Sequence, residues 1–262
     1  MPPSLLAPAS LSTGLFSFSH GNSKLPDSTL IFSLPAGHTC PGASLCLSKA
    51  DPDTGKISDG PFTKFRCYAA SEEARHPSVR AARWRNLDLV RRLDGSELNA
   101  GLALSIAAAR SHKTTHIRWF GSGDCFSPAL RDAIVSCAET FPELVHYLYS
   151  KNLPIWLDGT MLRTLPCNLF LAASYGGRFD YLLQQGLFPR TARVVFNEEE
   201  ADRLGLPVDF NDSYAYDPLP THFAHLVHGT QPAGSDAGKA IRARGKAGLF
   251  VGYSNRRVSS HV

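Results

Sequence analysis

The strongest constraint on the fold is an alternation of short β-prone runs with helical patterns along a chain of 262 residues. Thr29–Leu34, Thr115–Phe120, Leu144–Tyr149, Leu169–Ala173 and Ala192–Phe196 are β-prone runs, and each stops at a Pro, Gly, Ser or Asn. Helical patterns lie between them. Ala69 to Leu93 contains Pro77 and is expected in two pieces; Glu97–Arg110 places Leu98, Leu102 and Ile106 on one face. Ser127-Pro128 is an N-cap followed by a proline suited to the first helical position, opening a helix that runs to about Thr140. Shorter helices are expected around Gly159 to Arg163, Tyr181 to Leu183 and Glu198 to Leu204. This repetition predicts an α/β fold of β-α units with a mostly parallel sheet, forming a partial or complete (β/α) barrel. A doubly wound open sheet is the alternative, although the dinucleotide signature G-x-G-x-x-G is missing after the first strand. In either arrangement ligands gather at the carboxyl ends of the strands.

Residues 1–27 are rich in Pro, Ser and Gly and are expected as a flexible arm, 28–238 as a single α/β domain, and 239–262 as a basic tail. A chain that is 43% hydrophobic and 19% charged is neither disordered nor fibrous. Its net charge of +4 does not by itself call for nucleic acid. No run reaches the roughly 18 apolar residues of a membrane helix. No Lys or Arg precedes Lys24, so an export signal's positive start is missing and a cytoplasmic location without membrane partners is expected.

Cysteine usage carries the most chemistry. Cys40, Cys46 and Cys67 lie in or beside a long irregular segment, residues 38–66, that follows the first strand. Loops of that length inside compact domains are usually functional. Three thiolates suit an iron–sulfur cluster with one iron left open, whereas three with His38 suit a closed tetrahedral zinc site. Cys67 precedes a helix, whose amino terminus favours a thiolate. Cys137 and Cys167 sit in apolar surroundings and are expected in the core.

Other candidates also follow strands. The turn Gly121-Ser122-Gly123-Asp124 combines backbone donors freed by two glycines with a carboxylate able to hold an amine or hydroxyl. Lys151 and the stretch from Ser174 to Arg178 offer donors for a carboxylate or phosphate. Late in the chain Asp212-Ser213-Tyr214 precedes His222, His225 and His228, of which His228, at the end of an apolar run, is the candidate general base or metal ligand. Arg242, Arg244, Lys246, Arg256 and Arg257 form a basic ending suited to phosphate.

Together, LPAGHTCPGA followed by Cys46, GKISDGP, KFRCYAASEE, GSGDCFS, YSKNLP and HGTQPAGS resemble the gene product 88 family of phages and plasmids over residues 28 to 238. In that resemblance Cys125 is not a required ligand. A more distant resemblance is to radical S-adenosylmethionine enzymes, which place three cysteines after the first barrel strand and a Gly-Gly-Glu-like stretch after the second. It implies Cys40, Cys46 and Cys67 as cluster ligands. Gly121, Ser122, Gly123 and Asp124 would then hold the amino acid end of S-adenosylmethionine, helped by Lys151 or Ser174. The expectation is a cluster enzyme acting on an unnamed small molecule, a nucleotide or nucleic acid, with Asp124, Lys151 and His228 as catalytic candidates. The alternative is a zinc-stabilised nucleic-acid-binding module.

Overall fold

The computed structural model describes residues 15–219 and 221–253. In chain order the first elements are β1 (Phe18–His20), β2 (Thr29–Phe32), the hairpin β3 (Ser48–Ala50) and β4 (Ile57–Asp59), then helices α1 (Tyr68–Arg75), α2 (Pro77–Arg92) and α3 (Gly95–Ala109). They are followed by β5 (His116–Trp119), α4 (Pro128–Thr140), β6 (Val145–Ser150), the short pair β7 (Leu157–Asp158) and β8 (Met161–Leu162), and β9 (Leu169–Ser174). The chain continues through α5 (Asp180–Gln184), β10 (Thr191–Val195), α6 (Glu198–Arg203), β11 (His222–Leu226) and α7 (Asp236–Lys246).

Local chemistry sets several boundaries. Asp94 and Glu97 form a reciprocal capping box on α3, Ser127 accepts from the Leu130 N–H at the start of α4, and Asn197 and Ser235 cap α6 and α7. Pro77 opens α2, which splits the 68–92 helical stretch in two as the sequence predicts.

One seven-stranded sheet organises the molecule in the order β1-β2-β5-β6-β9-β10-β11. Only β1 is antiparallel; β2, β5, β6, β9, β10 and β11 are parallel and adjacent in chain order, with no reversal of strand order. All six parallel strands therefore end on the same side. Leu30, Phe32, Ile117, Trp119, Leu148 and Leu171 project from one face into a core shared with Leu102, Ile106 and Ile134 of α3 and α4. Arg118, Tyr147, Tyr149, Ala172, Ala192, Phe223 and His225 alternate onto the other face, beneath Tyr214, Ala215 and Tyr216.

Several expectations are corrected. Residues 15–27 are not an arm: Phe16 and Leu25 are buried, and β1 pairs with β2. Their two aromatic anchors, Phe16 and Phe18, pack on Phe32, which outweighs the local Pro and Ser signals. The stretch 239–246 is helix rather than tail. Around Gly159 the chain makes the β7–β8 hairpin, not a helix, because Gly159 adopts φ +61° at the turn. Cys137 is buried as expected, but Cys167 is exposed, lying in the turn that enters β9. Among the described residues no helix is long and apolar enough to cross a membrane.

The core also contains a pH-sensitive group. His146 on β6 is fully buried; its Nδ1 accepts from Trp119 Nε1 at 3.2 Å, and burial lowers its pKa from 6.5 to about 4. Below pH 6.5 the unfolded chain binds a proton that the native state refuses until about pH 4. The resulting stability, fully present above pH 6.5, is lost through that window by about 3 kcal/mol. Asp124, raised by burial to about 6, acts in the opposite sense in the same range. His146→Gln is expected to flatten the acid-side loss in urea unfolding between about pH 7 and about pH 4.5. An unchanged slope would place the acid sensitivity elsewhere.

Candidate functional site

Four segments meet at the carboxyl end of the sheet. The loop after β2 lies across the ends of β6 and β9: Arg178 N–H donates to Gly42 O at 2.9 Å, Leu45 N–H donates to Gly176 O at 3.0 Å, and Ala43 bridges Gly177. Gly42 makes this approach possible, since a Cβ there would stand 2.1 Å from Lys151 O. The loop thereby brings Cys40 and Cys46 to the strand ends, and Cys67 joins them from the N-cap of α1.

All three cysteines are half-buried free thiols. Cys40 interacts electrostatically with Asp124, Cys67 and Cys46, and Cys46 with Lys151 and Asp124. Burial is the largest cause raising each thiol, with Cys67 at about 11. Opposing it, Gly37 N–H donates to Cys40 Sγ at 3.3 Å, and the Ala69 and Ala70 N–H groups of α1 face Cys67. The three sulfurs do not all lie within 4.8 Å of one another among the described residues. A tetrahedral zinc with Zn–S bonds of about 2.3 Å brings its sulfurs to about 3.8 Å. His38 is engaged beside the trio: Nε2 donates to Ala50 O at 2.9 Å and the ring lies edge-on to Trp84.

The Gly121–Asp124 turn is bound largely to the protein itself. A Cβ at Gly121 would meet Ile31 at 2.5 Å, and one at Gly123, where φ is +83°, would meet Thr39 at 2.5 Å. Phe120, ahead of the turn, holds an uncommon φ of +59°. Asp124 is buried; it accepts from Lys151 N–H at 2.8 Å, Asn152 N–H at 3.2 Å and Cys125 N–H at 2.7 Å, stapling the end of β5 to that of β6. Lys151 Nζ donates to Tyr175 O, and Ser174 is the half-buried last residue of β9.

His228 follows β11 and stacks on Tyr68 at 5.1 Å. Burial lowers its pKa to about 4, and its Nδ1–H donates to Leu226 O at 3.0 Å, so at neutral pH the ring is uncharged with Nε2 as its acceptor. Tyr68 in turn donates to Gly121 O. The HGTQ motif clasps the KFRCYAAS motif: Gln231 accepts from Arg66 N–H at 2.7 Å and donates to Arg66 O at 2.9 Å, while Ser71 Oγ donates to Thr230 O. Two sequence motifs about 165 positions apart thus fix one helix start.

The sequence reading missed two groups. Glu73 on α1, fully buried, accepts from Ala36 N–H, Arg83 Nη1 and Ser122 Oγ, joining α1 to both loops. Beneath the site Asp212 pairs with Lys24 and, at 2.7 Å, with Arg118, and accepts from Tyr147 and Tyr149. Arg118 and Lys24 hold the Asp212 carboxyl well below its ordinary range against the opposing effect of burial. Asp209, Asp212 and His225 place ligand atoms within 4.8 Å of one another, but the two cations already at Asp212 oppose entry of a third. His222 is exposed, and burial pushes the His225 pKa well below 6.5. Of the basic ending, Arg244 is buried and donates to Val227 O, while Arg256 and Arg257 lie outside the described residues.

A family model described as Gene product 88 matches residues 11–247. No curated protein and no solved structure matches the chain. That match spans the whole sheet and every element of the cysteine site, so the chain belongs to the Gene product 88 family.

Proposed function

We propose that this protein is an iron–sulfur enzyme whose cluster is held by Cys40, Cys46 and Cys67 at the carboxyl end of a partial (β/α) barrel. The observation that carries this reading is the convergence of three half-buried thiols, from two separate segments, at the strand ends where α/β folds bind ligands. The chain-order succession of six parallel strands is the succession a (β/α) barrel has. The donor set fits: three thiols are soft ligands, and sulfurs on separate irons stand farther apart than those on one zinc. A bound cluster would supply one-electron reduction at this mouth.

The surrounding groups tune such a site. Gly37 N–H and the start of α1 donate toward Sγ of Cys40 and Cys67, which favours the thiolate forms. Lys151 offsets charge beside Cys46. His228 Nε2 is uncharged at neutral pH and can accept a hydrogen bond, while the burial that lowers its pKa to about 4 opposes its holding a proton. The Gly121–Asp124 turn does not fit an amine clamp for S-adenosylmethionine, because its glycines abut Ile31 and Thr39 and Asp124 is committed to three backbone N–H groups.

Purified anaerobically, the protein is expected to contain iron and labile sulfide and to absorb near about 400 nm. Cys40→Ala, Cys46→Ala and Cys67→Ala should each abolish the band while far-ultraviolet circular dichroism is retained. Holoprotein lacking iron and sulfide, or holding one zinc per chain, would overturn the reading.

A further inference from the structure

Beside the cysteines lies a cavity of about 420 Å³ that the site described above does not use, although Cys40 forms part of its wall. Its volume falls within the range of small-molecule pockets. Three cations line it, each from a different segment: Lys49 on β3, Arg91 in the last turn of α2, and Arg178 after β9. Among the described residues no carboxylate lines it. The acids near these cations in sequence are engaged elsewhere. Asp51 accepts from Thr54, Asp88 pairs with Arg92, Asp94 caps α3, and Asp180 accepts from the Gly176 and Gly177 N–H groups.

Three positive side chains around one cavity repel one another until an anion enters. Two are guanidinium groups, whose paired N–H donors match the oxygens of a phosphate, and a phosphomonoester carries about −1.5 to −2 charges at pH 7. The remaining wall differs in kind. Leu47, Leu87 and Phe126 are apolar, suited to the uncharged body of a molecule whose charge is concentrated at one end. The cavity opens at the carboxyl side of the parallel strands, between the loops after β2, β5 and β9.

We infer that this cavity binds a phosphorylated small molecule, its phosphate held by Lys49, Arg91 and Arg178 and its apolar part against Leu47, Leu87 and Phe126. The inference goes beyond the cluster reading and does not depend on metal at Cys40.

Calorimetric titration of the full chain with inorganic pyrophosphate and with adenosine monophosphate, at fixed ionic strength, tests it, with metal content measured on the same sample. Saturable one-to-one binding of both is expected. The exposed positions permit Arg91→Gln with Arg178→Gln without unfolding, and that pair should weaken both ligands by about tenfold or more. Arg92→Gln, one residue along α2 and engaged with Asp88, should leave affinity within about twofold. Absence of saturable binding, an unaffected double variant, or equal weakening by Arg92→Gln would overturn the inference. So would binding confined to a single-stranded oligonucleotide. Pyrophosphate binding by protein without iron would uphold the cavity and count against the cluster.

Discussion

Asp212→Ala should lower the unfolding free energy by about 3–5 kcal/mol, the cost of leaving buried charge without its partner. Asp212 is fully buried and carries Arg118 on one oxygen and Lys24 on the other, with the Tyr149 and Tyr147 hydroxyls completing its shell. Removing the carboxylate strands Arg118, itself buried on β5, among tyrosines that supply no negative charge. Both side chains are about nine-tenths buried, but Lys24 lies on the connection between β1 and β2 and can move with it, whereas Arg118 is fixed within β5. The double variant Arg118→Leu with Asp212→Ala should therefore recover a large part of the loss, since it removes the stranded guanidinium as well. Urea unfolding midpoints at neutral pH report both. A loss under about 1 kcal/mol for Asp212→Ala would mean that water reaches Arg118 and that the pair is energetically a surface one. Asp212 also holds φ +66°, so Asp212→Asn, which tolerates that backbone, separates the charge effect from the backbone effect.

What the sequence discloses and what it hides divide along the range of the interactions. The β5 and α4 boundaries were legible because their signals are local: an aromatic strand cut by Gly121, then Ser127 and Pro128 opening a helix. The cysteine loop was legible as a long irregular segment in which three scarce residues gather, although its β3–β4 hairpin was hidden among the turn residues. β11 was not legible as a strand, since it mixes His222, Phe223 and His225, and the face carrying Phe223 and His225 is covered by the 209–216 segment rather than patterned by local alternation. Lys24 meets Asp212 across 188 positions, and no local pattern encodes that pairing. The GSGD turn shows the converse difficulty. Its glycines were read as space for a ligand, whereas they make room for Ile31 and Thr39 of the neighbouring strand and loop. A glycine records that something comes close to the backbone, not what it is.

Glu73 offers the sharpest test of how the cysteine site is held together. Its Oε1 accepts from Ala36 N–H at 2.8 Å, from Arg83 Nη1 at 2.9 Å and from Ser122 Oγ at 3.2 Å, so one oxygen ties the loop bearing Cys40, the helix following α1 and the turn after β5. Glu73 lies on α1, the helix that Cys67 caps, and it is fully buried. Glu73→Ala leaves Ala36 N–H without an acceptor and removes one of the two carboxylates on Arg83, the other being the part-exposed Glu72. The expected cost is about 3 kcal/mol, below the full penalty for a broken buried pair because Glu72 remains. Stability alone would not separate this from an ordinary core defect. The distinguishing readout is thiol chemistry: with α1 released from the loop, Cys40 and Cys67 should react with a disulfide reagent about tenfold faster or more, while core Cys137 stays protected under native conditions. Glu73→Gln keeps an acceptor for Ala36 N–H and loses only charge, so it should cost less and leave thiol reactivity close to that of the native chain. Equal acceleration of Cys40, Cys67 and Cys137 in Glu73→Ala would indicate global loosening and would remove Glu73 from any role in placing the cysteines.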